Sequence, residues 1–170
     1  MSRLLSLSIF TAVVGSSVLG GIFFSWSNLV MPALARIPPP AGIAAMNATN
    51  EVVQNPLFFL FFLGVPLLAL VLAAGAVMQL RRPGSPALIA GAVLVVAGMF
   101  AVTMGANVPM NDTLAAMAPD SAEAGDYWRI VVDRWTFWNH VRTIASLAAA
   151  VCFGLALRAR SSASTTGAVS

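Results

Sequence analysis

Between Glu51 and Arg81 the chain reads VVQNPLFFLFFLGVPLLALVLAAGAVMQL, residues 52–80, with no charged side chain. So long and apolar a run exceeds the roughly 20 residues that carry a helix across a bilayer. Lipid offers no partner to backbone N–H and C=O groups, so a spanning segment must satisfy them internally, as a helix does. The alternation of polar and apolar residues that marks a membrane β-barrel is absent. Pro66 falls inside the run and predicts a bend.

The same reading extends outward. Residues 4–35, between Arg3 and Arg36, and 83–111, between Arg82 and Asp112, are also free of charge. A fourth apolar run, from about Trp135 to Leu157, carries His140 and Arg142 near its start. Spans are predicted at about 5–31, 57–80, 86–108 and 136–158. The fold class is therefore all-α, a four-helix transmembrane bundle forming one domain over 1–160, followed by a disordered tail at 161–170. Short extramembrane helices are expected in the two long outer connections. One, Ala41–Val53, lies between Pro38-Pro39-Pro40 and Asn55-Pro56, and Asn111–Asp133 has room for another one or two. Arg81-Arg82-Pro83-Gly84-Ser85-Pro86 reads as a tight turn. Ala33-Leu34-Ala35 has the form of a signal-peptidase site, but the preceding apolar region is much longer than the roughly 7–15 residues of a signal.

Composition excludes the soluble classes. Apolar residues make up 59% and charged residues 9% of the 170, against roughly 45–50% and 25% in soluble domains. Mean hydropathy is +0.87. A water-facing core of this size cannot hide so much apolar surface. The net charge of +3 comes from nine basic residues, all arginine, against six acids. They form no continuous stripe, so nucleic acid is not an expected partner. The single cysteine, Cys152, rules out an intramolecular disulfide and a multi-thiolate metal site.

Charge also orients the chain. Arg3, Arg81, Arg82, Arg158 and Arg160 fall on one side with no acid, while Arg36, Arg129, Arg134 and Arg142 share the other with all six acids. The positive-inside rule then places both termini in the cytoplasm, in an inner (plasma) membrane.

The outer side collects the polar chemistry. It holds Ser25-Trp26-Ser27-Asn28, Met46-Asn47, Asn50-Glu51, Asn107-Val-Pro-Met-Asn111-Asp112 and Trp135-Thr-Phe-Trp138-Asn139-His140-Val-Arg142. Ser17, Gly21, Ser25 and Asn28 form a small, polar stripe that reads as a close helix–helix contact and is compatible with lining a cavity. Thr103 and Asn107 share a face, as do Trp135, Asn139, Arg142 and Ser146. His140 is rotated about 160° from Arg142 at roughly 100° per residue, which argues against a simple His–Arg pair. Arg142 lies about 6 Å inside the membrane at 1.5 Å per residue from Trp138. It either snorkels to the interface or turns inward to an acidic or amide partner, a salt bridge with Asp112 or Glu51 being the favoured structural alternative. The tryptophans, Trp26, Trp128, Trp135 and Trp138, all lie outside. An interfacial belt accounts for some of them, and walls of a pocket for a flat apolar ligand account for others. No H-x-x-H or E-x-x-H spacing supports a metal site.

These blocks, with Gly21–Leu34 and Gly42–Asn47, resemble the anthrone oxygenase-like family of small four-helix membrane proteins. The resemblance implies a cofactor-independent oxygenase, since fungal members oxidise anthrones to anthraquinones, and it carries over Asn107, Asn111, Asn139 and Arg142. The candidate catalytic residues are His140 as base, Asp112 as reserve base and Arg142 as the cation that stabilises an organic anion. Substrate-binding candidates are Asn28, Asn47, Asn107, Asn111, Trp138 and Asn139. No metal or cofactor is expected. The expected partners are membrane lipid, a flat aromatic or phenolic substrate and oxygen. The alternative is a non-enzymatic carrier or a subunit of a membrane complex.

Overall fold

The computed structural model describes residues 2–166. Among them there is no strand, and five helices follow in order: α1 (Arg3–Leu34), α2 (Pro39–Val52), α3 (Pro56–Val77), α4 (Ser85–Ala115) and α5 (Ala122–Thr166). All but α2 are long and apolar enough to cross a membrane. The chain is a multi-pass membrane protein.

Local chemistry sets the ends. Ser2 caps α1 by accepting the Leu5 N–H at 3.3 Å, and Asn55 caps α3 by accepting the Phe58 N–H at 3.0 Å with Pro56 in the first turn. The α3–α4 turn closes on Gly84 at φ 83°, where a Cβ would stand 2.8 Å from the Ala156 carbonyl. Only glycine offers both that φ and that clearance. Arg160 donates to Ser85 Oγ at 2.9 Å, which sets this turn beside the far end of α5.

Around the bundle the order is α1, α3, α4, α5, each packed on its neighbours. A transmembrane core runs through Ile9, Leu19, Phe62, Leu72, Leu88, Met99 and Phe153. A second core stands outside it, where Met31, Ile43, Met46, Leu114, Trp128 and Val131 join α2 to the outer ends of α1, α4 and α5. It exists because α5 is too long for the bilayer. Its 41-residue span segment is about 60 Å long at 1.5 Å per residue, twice a hydrocarbon core of roughly 30 Å. The second long connection is accordingly not a loop. Val108–Ala115 continues α4 as helix, and α5 begins at Ala122, well before the predicted 136. At its other end α5 runs on to Thr166, into the stretch predicted to be disordered, and 167–170 lie outside the described residues.

Wide turns shape the inner faces. α1 is π-helical over Trp26–Val30 and α4 over Leu94–Ala101 and Thr103–Asn107. Each terminal wide turn ends just ahead of a proline, Pro32 or Pro109, whose missing N–H already interrupts the ladder. In an ideal α-helix residues four apart drift by about 40° at each step, whereas wider turns hold them in line. Leu19, Phe23, Ser27 and Met31 thus all face inward on α1, and Val95, Met99, Thr103 and Asn107 do so on α4.

One expected packing surface is overturned. Ser17, Gly21, Ser25 and Asn28 are all exposed on the outside of α1, and a Cβ on Gly21 would meet nothing. The Ser17 and Ser25 hydroxyls donate to the Val13 and Gly21 carbonyls of their own helix, so they need no partner helix. Close approach occurs instead at Gly20 against Leu147 and Gly98 against Ala145.

Candidate functional site

A cavity of about 460 Å³ lies in the outer half of the bundle, between α1, α3 and α4, with α2 over it. Its deep end is Arg142, Thr103, Trp135 and Phe23. Aromatic side chains Trp26, Phe58 and Phe62 form its walls, and Asn47, Asn50, Glu51, Asn111 and Asp112 its polar rim.

Arg142 is 5% exposed and points inward, so it does not snorkel. The salt bridge expected with Asp112 or Glu51 does not form, and among the described residues no carboxylate lies within ion-pair range of Arg142. Both acids are exposed at the rim, while the guanidinium is held deeper by neutral groups. One terminal nitrogen donates to Asn139 Oδ1 and the other to Thr103 Oγ1 at 3.4 Å, while Nε has no protein partner. Its carbon lies 4.4 Å from the Phe23 ring centre and 5.1 Å from that of Trp135, so aromatic faces supply part of the missing negative potential.

Asn139 fixes this arrangement. Fully buried, it donates from Nδ2 to the Phe23 carbonyl at 2.6 Å and to Ser27 Oγ. These acceptors sit where α1 widens, the kind of place where a side chain enters a helical ladder. Asn139 therefore ties α5 to α1 and holds Arg142 at once. Asn107, also buried, donates to the Trp135 carbonyl at 3.1 Å and ties α4 to α5. Neither asparagine lines the cavity. Both position what does.

The cavity collects unpartnered buried polar atoms. Arg142 Nε, Trp135 Nε1 and Asn50 Nδ2 are donors without an acceptor, and Asn47 Oδ1 and Asn111 Oδ1 are acceptors without a donor. Native interiors satisfy nearly all such atoms; Ser16 Oγ, Asn107 Oδ1, Thr136 Oγ1 and Ser146 Oγ are in the same state away from the cavity.

The structure thus brings together Arg142, Asp112, Asn47 and Asn111 of the candidate residues, with Asn139 and Asn107 directly behind them. Three others lie elsewhere. Asn28 is exposed on α1, Trp138 is 37% exposed and packs edge-on to Phe137, and His140 is exposed on the far face of α5. The 160° offset from Arg142 already pointed that way for His140. Sequence reading passed over Phe58 and Phe62 as site residues; their i,i+4 spacing beside the rim was the available signal. Trp26 and Trp135 answer the tryptophan question, since they meet at 5.6 Å in the cavity wall rather than in a belt.

The model of the anthrone oxygenase family matches residues 58–152. The chain belongs to that family. Neither a curated protein nor a solved structure matches it. In this anthrone oxygenase family member the matched region holds Phe58, Phe62, Thr103, Asn111, Asp112, Trp135, Asn139 and Arg142. The α1 and α2 side of the cavity, with Phe23, Trp26, Asn47 and Asn50, lies outside it.

Since His140 faces away from the cavity, His140→Ala should leave any turnover of an anthrone within about twofold of wild type, as for an ordinary surface change. Oxygen consumption with an anthrone in detergent micelles tests this, and a hundredfold loss would return the base role to His140.

Proposed function

We propose that this protein is a membrane oxygenase that binds a flat aromatic anthrone or phenol in the outer cavity and stabilises its anion at Arg142. The observation that carries the reading is a buried arginine without a carboxylate, facing an aromatic-walled void. A buried cation is expensive unless compensated, and a substrate oxyanion is the compensation that this site lacks. Asp112 at the rim takes the proton from the substrate. The carbanion adds oxygen to give a peroxide anion, which is protonated. Loss of water with cleavage of the O–O bond leaves the ketone, so a CH₂ group and O₂ become C=O and H₂O. The electrons come from the substrate.

A non-enzymatic binding protein is the second reading. It is favoured by the position of His140, because the side chain best suited to neutral-pH proton transfer is not in the cavity. Purified protein given a panel of anthrones under oxygen separates the two readings. Uptake that survives chelation supports the oxygenase, and tight binding without uptake supports the carrier.

The arginine asymmetry supports a topology with both termini in the cytoplasm and the cavity on the far side of an inner membrane. In a Cys152→Ser background, Leu80→Cys should label from the cytoplasmic side only and Asp120→Cys from the opposite side only. The reverse pattern would invert the molecule.

A further inference from the structure

The end of the bundle opposite the cavity carries a second concentration of chemistry, where the α3–α4 turn meets the far end of α5. The turn is closed by the Arg82 N–H donating to the Gln79 carbonyl at 2.9 Å and the Ser85 N–H to the Arg82 carbonyl at 3.1 Å. It is pressed onto α5, since a Cβ at Gly84 would also stand 3.1 Å from the Ala156 Cα. The Ser85 hydroxyl is fully buried; it donates to the Gln79 carbonyl at 2.8 Å and accepts from Arg160 at 2.9 Å. One side chain thus ties the turn to itself and to α5.

This clamp gathers like charges. Arg81 and Arg82 are exposed on the turn and Arg158 on α5, and Arg82 lies near enough to Arg160 for the two to repel. No Asp or Glu occurs in residues 1–50, 52–111 or 134–170. The segments that reach this face therefore bring no carboxylate side chain to offset the arginines. A free Arg160 could swing away from Arg82, but the bond to Ser85 holds it beside the turn, and an anion between the two relieves their repulsion.

The surroundings select the kind of anion. Met78 and Leu80 lead into the turn at 85% and 58% exposure, and Leu155 is exposed one turn before Arg158. At the ends of membrane-spanning helices these side chains meet acyl chains. A ligand that covers both them and the arginines is negative at one end and apolar at the other, whereas a small anion covers the arginines alone.

We propose that the α3–α4 turn and the end of α5 form a headgroup site for an anionic phospholipid, its phosphate between Arg82 and Arg160 and its acyl chains along Met78, Leu80 and Leu155. Arginines just beyond a span favour anionic headgroups by about 5-fold each. The Ser85 clamp makes this a fixed site rather than a diffuse field. It is separate from the outer cavity and stands whatever that cavity binds.

The test uses the full chain in nanodiscs of equal parts phosphatidylglycerol and phosphatidylcholine with the same acyl chains, and native mass spectrometry reads which lipid stays bound. Phosphatidylglycerol should be retained at least about 10-fold over phosphatidylcholine. Arg82→Gln, an exposed change, should lower that preference about 5-fold, whereas Arg36→Gln at the opposite end should leave it unchanged. Ser85→Ala keeps every charge but releases Arg160, and should lower it about 3-fold. Thermal unfolding shows which variants are folded, and Arg82→Gln carries the test if Ser85→Ala is not. Equal retention of the two lipids, or equal losses in Arg82→Gln and Arg36→Gln, would overturn the site. An unchanged preference in folded Ser85→Ala would overturn the fixed geometry and leave only diffuse attraction. Displacement of phosphatidylglycerol by excess inorganic phosphate at constant ionic strength would overturn the lipid assignment in favour of a small-anion site.

Discussion

Arg142→Met should lower kcat/KM for the proposed anthrone oxidation by about 10²-fold or more while costing no more than about 2 kcal/mol of stability. The two halves of this expectation have different origins. Stabilisation of a developing anion by a preorganised donor in a water-poor site is typically worth 10²–10³, roughly 3–4 kcal/mol. Breaking a buried salt bridge would cost about 3–5 kcal/mol, because the surviving partner is left charged and unpaired. No carboxylate pairs with Arg142, so its removal strands only the neutral Asn139 and Thr103 oxygens. It also removes the cost of burying a charge, which methionine of similar length does not incur. Oxygen uptake and thermal unfolding of the same detergent sample measure both halves. A large drop in melting temperature with proportionate loss of activity would make Arg142 a structural residue and withdraw it from the chemistry.

Asn139→Leu should be the more damaging change to the fold, at about 3 kcal/mol or more, since each buried group left unsatisfied costs roughly 1–3 kcal/mol. It strands Ser27 Oγ and Arg142 together, at the seam between α1 and α5, and leaves the Phe23 carbonyl with the Trp26 N–H alone. Asn139→Asp is the informative companion. A carboxylate at that position would pair with Arg142 from behind and cancel the charge that the substrate anion meets. Binding of the proposed anthrone or phenol should fall by about 10-fold, although the cation is still present. Denaturant unfolding and equilibrium binding report on the pair. Undiminished binding by Asn139→Asp would show that the guanidinium charge is not what the ligand senses.

Much of this was legible beforehand. Trp135, Asn139, Arg142 and Ser146 share a face by spacing, and all four are buried in the bundle. The same spacing sets His140 on the opposite side, where it lies exposed. The family resemblance, drawn from blocks at 21–34, 42–47, 107–114 and 135–143, agrees in family with the match over 58–152, which covers the last two of them. Two inferences from pattern alone misled. The Ser17–Asn28 stripe looked like a helix contact, but small residues fit lipid as well as a neighbouring helix, and their hydroxyls are satisfied within α1. The salt bridge favoured for Arg142 followed from charge bookkeeping, but the acids lie at the rim and the arginine at the deep end, where its partner is the other kind expected, the amide of Asn139.

By itself the sequence determined the four spans, the all-helical class and the division of charge between the two sides. These depend on the length and apolarity of local runs, which lipid selects segment by segment. Only the tertiary structure decided what Arg142 touches, which asparagines brace and which line, and where the cavity opens. Those outcomes turn on the rotation of each helix and on wide turns that keep Thr103 and Asn107 in line. None of these is a property of any single segment. They arise when four helices settle against one another, with small residues such as Gly20 and Gly98 deciding how near each can come.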